Sequence, residues 1–417
     1  MTTPSQTLDP QRTIAELKNL REITGDENGA QRVAFTETWA KARNWLKAIM
    51  SELPVSETTD AAGNLWFTLP GESEKCLIIG GHMDSVPNGG WLDGCLNVMA
   101  GVEILRRLNA QYKGKPPVTI RVVDWADEEG ARFGKSLFGS SAFSGNLNME
   151  EARGLTDKDG ISLVDALAEF GIDFENVKQA TAEQANAAAY LELHIEQGPV
   201  LLDLDLPLAV VLGTCGVERH RITFHGQAAH SGSTPMDRRQ DAFLAAARMA
   251  PEIYEITRRN GGVCTIGSCK TKPGIVTSVV AECEITLDQR HIDAESLKQM
   301  LYEADDASMR FSGEAGCEVS WERIWQIAPE PFHPELIDHC GQAIHETCGV
   351  VHRMPSGPLH DAAEVSLAGI PTVMMFVQSL HGISHNKIED TKEEHIAQSV
   401  VAMDKLADKT IAWILSH

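Results

Sequence analysis

The sequence predicts an α/β fold: a mixed sheet flanked by helices, interrupted by a smaller α+β two-layer domain. Three observations predict it. Short apolar runs alternate with helical periodicity as far as Leu208. From Ala209 to about Trp325 the pattern changes to a strand, helix, strand, strand, helix, strand order, which fits a small sandwich. After Pro331 the first pattern returns, so residues 1–208 and 330–417 read as one discontinuous domain and residues 209–329 as an insertion.

Helical periodicity opens the chain at Thr13–Ile23 and again at Ala34–Leu53. A strand pair follows at Leu65–Leu69 and Cys76–Ile79, the second running into GGHMDSVPNGG. Gly94–Leu108 reads as a helix, Val118–Trp125 as a strand ending in ADEEG, and Leu191–Ile195 as a strand entering EQGP. In the insertion, Arg219–Phe224 is a predicted strand and Met236–Arg258 a long helix. Strands at Val263–Ile266 and Ile275–Asp288, a helix at Ala294–Met309 and a strand at Cys317–Trp321 complete it. A helix at Pro334–Cys348, an apolar strand at Thr372–Val377 and a helix at Glu393–Leu415 close the chain.

Size agrees with two domains, because 417 residues exceed what one core usually organises. The hydrophobic share of 43% is that of a globular protein. A formal charge of −23, from 59 acidic and 36 basic residues, disfavours nucleic acid and anionic membranes as partners. No apolar run is long enough to predict a membrane span, and Met1–Pro10 lacks the apolar centre of a secretion signal. Nine cysteines without a CxxC pair read as reduced thiols of a cytoplasmic protein.

The chemistry-bearing side chains fall where predicted strands end, and in an α/β sheet those ends open into the ligand crevice. His82 and Asp84 follow one strand, Glu128 and Glu129 another, and His194 ends a third. Asp93 stands in the Gly-rich loop GGWLDG, and His385 in GISHN. Two metal ions about 3.5–4 Å apart require a bridging carboxylate and terminal imidazole and carboxylate ligands. Asp93 suits the bridge, with His82 and His194 on different ions and Glu129 and His385 completing the set. Asp84 is placed to hydrogen-bond His82, and Glu128 is left over as a base. Each residue taken singly has a bland alternative: a strand-end histidine is usually structural, and a Glu-Glu pair is usually a solvated edge.

Taken together, HMDSVPNGGWLDG, DEEGARF with GSSAFSG, LELHIEQGP, FHGQAAHSGSTPMDRR with DAFLAAA, TLDQRH and GISHN resemble one family. It is the hydantoinase/carbamoylase branch of the M20 metallopeptidase-like amidohydrolases, which includes N-carbamoyl-L-amino acid hydrolases, β-ureidopropionases and allantoate amidohydrolases. The resemblance covers nearly the whole chain, in order. It implies a dimetal catalytic domain and an inserted domain that serves as lid and dimer interface. It implies His82, Asp93, Glu129, His194 and His385 as ligands of two divalent ions, zinc first, with Mn²⁺, Co²⁺ or Ni²⁺ as alternatives. Glu128 matches the catalytic glutamate. His230 matches a histidine that reaches the partner's active site in a homodimer, and Arg290 matches the arginine that binds a substrate carboxylate. His360, in SGPLHD, follows the pattern of a histidine-aspartate pair lining the pocket. The expected reaction is hydrolysis of a linear amide or carbamoyl C–N bond in a small carboxylate-bearing molecule.

Other readings stay open. His230 has the alternative of capping the turn HSGSTP, and Arg290 that of pairing with Asp288; His220 and His225 read as structural. Three positions depart from the family pattern. Val217 stands where relatives carry glutamine, Thr277 where they carry asparagine, and Leu359 where they carry glycine. Fewer paired donors and acceptors for a ureido group make an N-acyl amino acid or dipeptide substrate the alternative. A non-catalytic binding protein on the same scaffold is disfavoured because the whole ligand set and the catalytic glutamate are present.

Overall fold

The computed structural model describes residues 7–417, so most of the polar N-terminal stretch lies outside the described residues. The described chain divides into two units, one of residues up to Leu212 together with Phe332–His417, the other Gly213–Pro331. In chain order the longer strands are β1 (Ser56–Thr59), β2 (Leu65–Leu69), β3 (Ser73–His82), β4 (Val118–Trp125), β5 (Ala187–Ile195) and β6 (Leu208–Thr214). They continue as β7 (Gly216–His225), β8 (Val263–Lys272), β9 (Glu282–His291), β10 (Glu318–Ile327) and β11 (Thr372–Val377).

The large sheet runs β6-β11-β5-β3-β4-β2-β1. Its heart, β11-β5-β3-β4, is parallel, while β6, β2 and β1 join antiparallel, so the sheet is mixed as the sequence predicts. Parallel strands are covered on both faces and therefore carry continuous apolar runs. Leu77, Ile78 and Ile79 on β3 and Leu191 and Leu193 on β5 are fully buried. Burial of each such side chain contributes about 1.5–3 kcal/mol relative to exposure. The helix Cys95–Tyr112 packs against this core, and Trp66 and Trp125 meet edge to face at 5.4 Å on the β2–β4 side.

Several boundaries differ from the sequence reading. β6 pairs with β11 through Leu208–Val211, so the large sheet extends past the expected junction at Leu208. The helix expected over Ala34–Leu53 is Glu37–Met50, because Thr36 accepts from the Trp39 amide and caps it.

The second unit is an antiparallel sheet, β8-β9-β7-β10, with the helices Ala242–Asn260 and Ala294–Glu314 on one face. Its elements follow the expected β-α-β-β-α-β order. The helix predicted from Met236 begins instead at Ala242, where the Asp241 carboxylate accepts from the amides of Phe243 and Leu244; Met236–Arg238 forms only a 3₁₀ turn. The strand predicted from Ile275 begins at Glu282. Residues 273–281 form a loop instead, because their backbone pairs with the His230 loop: Ser231 N–H donates to Thr277 O at 3.0 Å and Val279 N–H to Ala229 O at 2.8 Å. Among the described residues no helix is long and apolar enough to cross a membrane.

Candidate metal centre

The parallel strands of the large sheet end together, and the acidic and histidine side chains collect there. β3 ends at His82, β5 ends one residue beyond His194, and β4 ends just before Asp127, Glu128 and Glu129. Asp93 enters from the loop before the helix Cys95–Tyr112. That loop can press onto His82 only because residue 94 is glycine: Gly94 has φ 67, and a Cβ there would lie 2.3 Å from the imidazole.

Asp93 is the hub. Its Oδ1 lies 3.1 Å from His194 Nε2 and 3.6 Å from His82 Nε2, and its Oδ2 lies 3.5 Å from His385 Nε2. His385 Nε2 in turn lies 3.2 Å from Glu129 Oε2. Two donor sets result, His82–Asp93–His194 and Asp93–Glu129–His385, each with its ligand atoms within 4.8 Å of one another. This corrects the expectation that His82 and His194 serve different ions. β3 and β5 are parallel neighbours with Ile79 opposite Leu191, so the two histidines arrive side by side at one end of the sheet.

The residues fit a pair of cations on three counts. His82 Nε2 is buried without a hydrogen-bond partner, a costly arrangement unless it ligates something. His82 Nδ1 faces the Asp84 carbonyl at 3.2 Å and His194 Nδ1 the Ile195 carbonyl at 2.9 Å. Carbonyls can only accept, so each Nδ1 carries hydrogen, and Nε2, turned towards Asp93, is the nitrogen left to ligate. Finally, Asp93 has one carboxylate oxygen in each set, as a bridge requires.

Electrostatics follow from this packing. Burial would raise the Asp93 carboxyl, but His194, His82 and His385 together hold it far below the ordinary range. Against the opposing effect of burial, Asp93 raises the His194 imidazole to about 9. Hydrogen bonding to Glu129 raises His385, also to about 9. Burial lowers His82. Glu128 stands 3.6 Å from His82 Nε2, and burial, then the charges of Asp361, Glu129, Asp84 and Asp93, push its carboxyl well above the usual range.

Asp84 does hydrogen-bond His82, as the sequence predicts, and has a second task besides. It is the Asp84 carbonyl that faces His82, while its carboxylate accepts from the amides of Glu128 at 3.3 Å and Glu129 at 3.1 Å. The turn after β4 brings those amides inward because Asp127 sits at φ 56, a conformation that is uncommon outside glycine.

Sequence reasoning missed two residues here. Gln197 Nε2 donates to Asp93 Oδ2 at 2.9 Å. Glu389, nearly fully buried, accepts from the amides of Leu92 and Asp93 at 3.2 Å each, and its Oε2 lies 2.8 Å from Ser384 Oγ. It ties the Asp93 loop to the loop bearing His385. Burial, then the Asp93 charge, pushes its carboxyl up to about 7. The only signal in the sequence was an acidic residue four places after His385.

Of the remaining candidates, His360 lies within the same unit. It is buried, its ring centre is 4.4 Å from that of His194, and burial, then His194, holds it well below the ordinary histidine range. Leu359 precedes it, half-buried. The second unit carries the other candidates. His230 is exposed, and its Nδ1 accepts from the Gly232 amide at 3.1 Å, so it does cap its own turn and Nε2 holds the hydrogen. Arg290 donates to Asp288 Oδ1 at 2.9 Å, the pairing considered above. Val217, buried, lies opposite Arg290 in the β7–β9 register, and Thr277 sits in the loop paired to the His230 turn. His220 is structural in its contacts, bonded to Glu218 at 2.8 Å and stacked edge-on against Trp321.

Comparison with known proteins gives consistent matches. Residues 78–409 match peptidase family M20/M25/M40. The chain is 36% identical to an N-carbamoyl-L-amino acid amidohydrolase of Geobacillus stearothermophilus, over 92% of this chain and 94% of that protein. It is 31% identical to the allantoate amidohydrolase of Escherichia coli K12, over 93% and 92% of the two chains. A hydantoinase/carbamoylase family amidase from Burkholderia multivorans superposes with a TM-score of 0.86 at 30% identity, covering 97% of this chain and 98% of that one.

Proposed function

The chain belongs to peptidase family M20/M25/M40, and from that membership we propose that it is a metal-dependent amidohydrolase cleaving the carbamoyl or ureido C–N bond of a small carboxylate-bearing substrate. The observation that carries this reading is Asp93 shared between two donor sets, with the buried carboxyl of Glu128 beside them.

His82, Asp93 and His194 would hold one divalent ion, and Asp93, Glu129 and His385 a second, zinc being the first choice for this mixed imidazole and carboxylate set. Cations there supply Lewis acidity, acidifying water and polarising the scissile carbonyl. Glu128 takes the proton of the attacking water as its oxygen bonds to the carbonyl carbon. It then delivers that proton to the nitrogen as the C–N bond breaks. A carboxyl whose affinity for protons is raised by burial suits both halves of this task. From a carbamoyl substrate the amine leaves, and the carbamic acid decomposes to carbon dioxide and ammonia. His360 borders the metal ligands as a neutral imidazole.

In the second unit, His230 presents Nε2–H as a donor for the developing oxyanion, and Arg290 presents a guanidinium for the substrate carboxylate. We assign these roles to a homodimer in which His230 serves the partner's site and the second unit acts as lid and interface. Val217, Thr277 and Leu359 line the substrate in this reading. The apolar Val217 opposite Arg290 favours, as a second reading, an N-acyl amino acid or dipeptide.

The deciding experiment is a panel of N-carbamoyl and N-acyl amino acids and dipeptides, assayed with zinc or manganese for ammonia and for free amino acid. Ammonia together with the amino acid establishes carbamoyl hydrolysis. Amino acid without ammonia, from acyl substrates alone, transfers the assignment to the second reading.

A further inference from the structure

We propose that Cys269 and Cys283 are a peroxide-responsive thiol pair that closes into a reversible disulfide across β8 and β9. Their sulfur atoms lie 3.7 Å apart on adjacent antiparallel strands. Cys269 is opposite Ile285 and Cys283 opposite Thr271, so the two are diagonal neighbours on one face. That shared face depends on a bulge. Up to Ile266, which pairs with Leu287, the even-numbered residues of β8 face the helices; the register then shifts between Ile266 and Ser268. After the shift the odd residues turn inward, and Cys269 points to the side on which Cys283 is buried. Without the bulge the two thiols would lie on opposite faces.

The pair is also asymmetric in access. Cys269 is exposed and Cys283 buried. Burial, then the neighbouring Cys269, pushes the Cys283 thiol up to about 12, so the outer cysteine meets the oxidant first. The Cys269 thiolate attacks a hydroperoxide oxygen and the O–O bond breaks; with hydrogen peroxide a sulfenic acid forms and hydroxide leaves, taking up the proton the thiol had released to become water. The Cys283 sulfur then attacks the Cys269 sulfur; the S–S bond forms as the S–O bond breaks, and hydroxide leaves with the Cys283 proton as a second water. Two thiols are oxidised and one peroxide is reduced.

The location gives the bond a consequence. Between the two cysteines the chain runs through residues 273–281, the loop whose backbone pairs with the His230 turn and which carries Thr277. Closing the disulfide ties both stems of that loop together.

The test uses the full chain treated with hydrogen peroxide at neutral pH, then unfolded in denaturant, alkylated with iodoacetamide and mapped by mass spectrometry with and without prior reduction. The expected result is loss of two hydrogen masses per chain, a Cys269–Cys283 linked peptide that dithiothreitol abolishes, and a higher Tm of the oxidised form. In Cys269→Ser, Cys283 should remain fully alkylatable after the same treatment. Cys269 carried on to sulfinic acid with Cys283 still alkylatable would overturn the proposal, as would Cys269 linked to a second chain. The measurement reads thiols and not turnover, so it stands apart from the hydrolytic assignment.

Discussion

Asp84 Oδ2 accepts the backbone N–H of Glu129 at 3.1 Å, while its Oδ1 accepts that of Glu128 at 3.3 Å. One buried carboxylate therefore fixes the turn that delivers both a proposed metal ligand and the proposed base. Asp84→Asn keeps the shape but replaces one acceptor oxygen with an NH₂ group facing an amide hydrogen. Metal affinity, measured by competition with a chromophoric chelator, should fall about 10–100-fold, the usual penalty for disturbing a residue that orients ligands. Unchanged affinity would show that the turn holds without Asp84.

Glu128 lies beside the donor sets but belongs to neither. Glu128→Gln should therefore retain metal, as read by elemental analysis, and lose turnover by roughly 10²–10⁴-fold, the range for removing a positioned acid-base group. A near-normal kcat would remove Glu128 from its assigned role.

Chelation followed by dialysis should abolish turnover, and zinc, manganese, cobalt or nickel should restore it. Activity that survives with no residual metal would refute the mechanism.

Metal binding should release protons. His194 and His385 are each raised to about 9, so at neutral pH both imidazoles carry a proton that a cation must displace. Protonation competes with the metal, so affinity strengthens as pH rises towards about 9 and weakens as pH falls, by up to tenfold per unit for each proton displaced. Titrating zinc into weakly buffered protein with a pH dye should show close to two protons released near pH 7. Release of none would mean the imidazoles are neutral before the metal arrives.

Gly90→Ala tests the clamp between the two ligand loops. A Cβ at position 90 would lie 2.0 Å from the Glu389 carboxyl, too close without displacing it. The variant should lose about 1–3 kcal/mol of stability, as overpacking does, and bind metal more weakly. Glu389→Gln should weaken metal binding with less effect on Tm. Wild-type metal affinity in both variants would reduce Glu389 to a packing residue.

Alternating apolar and helical periodicity determined the mixed sheet, the inserted sandwich and the strand ends where chemistry collects. Burial of strand cores and the opening of strand ends are local consequences of side-chain type and order. The residue types at those ends also named the metal-ligand candidates. What the sequence left undecided was how they divide. The pairing of His82 with His194 follows from parallel neighbours β3 and β5, a register that no local pattern encodes. Asp84 keeps His82 through its carbonyl, and its carboxylate also takes the Glu128–Glu129 amides because the unusual backbone at Asp127 points those amides inward. Glu389 joined the site across almost three hundred residues of chain, through hydrogen bonds to the Asp93 loop. Periodicity reports which face a residue shows its neighbours in sequence; only folding brings distant loops together and decides which carboxylate meets which amide.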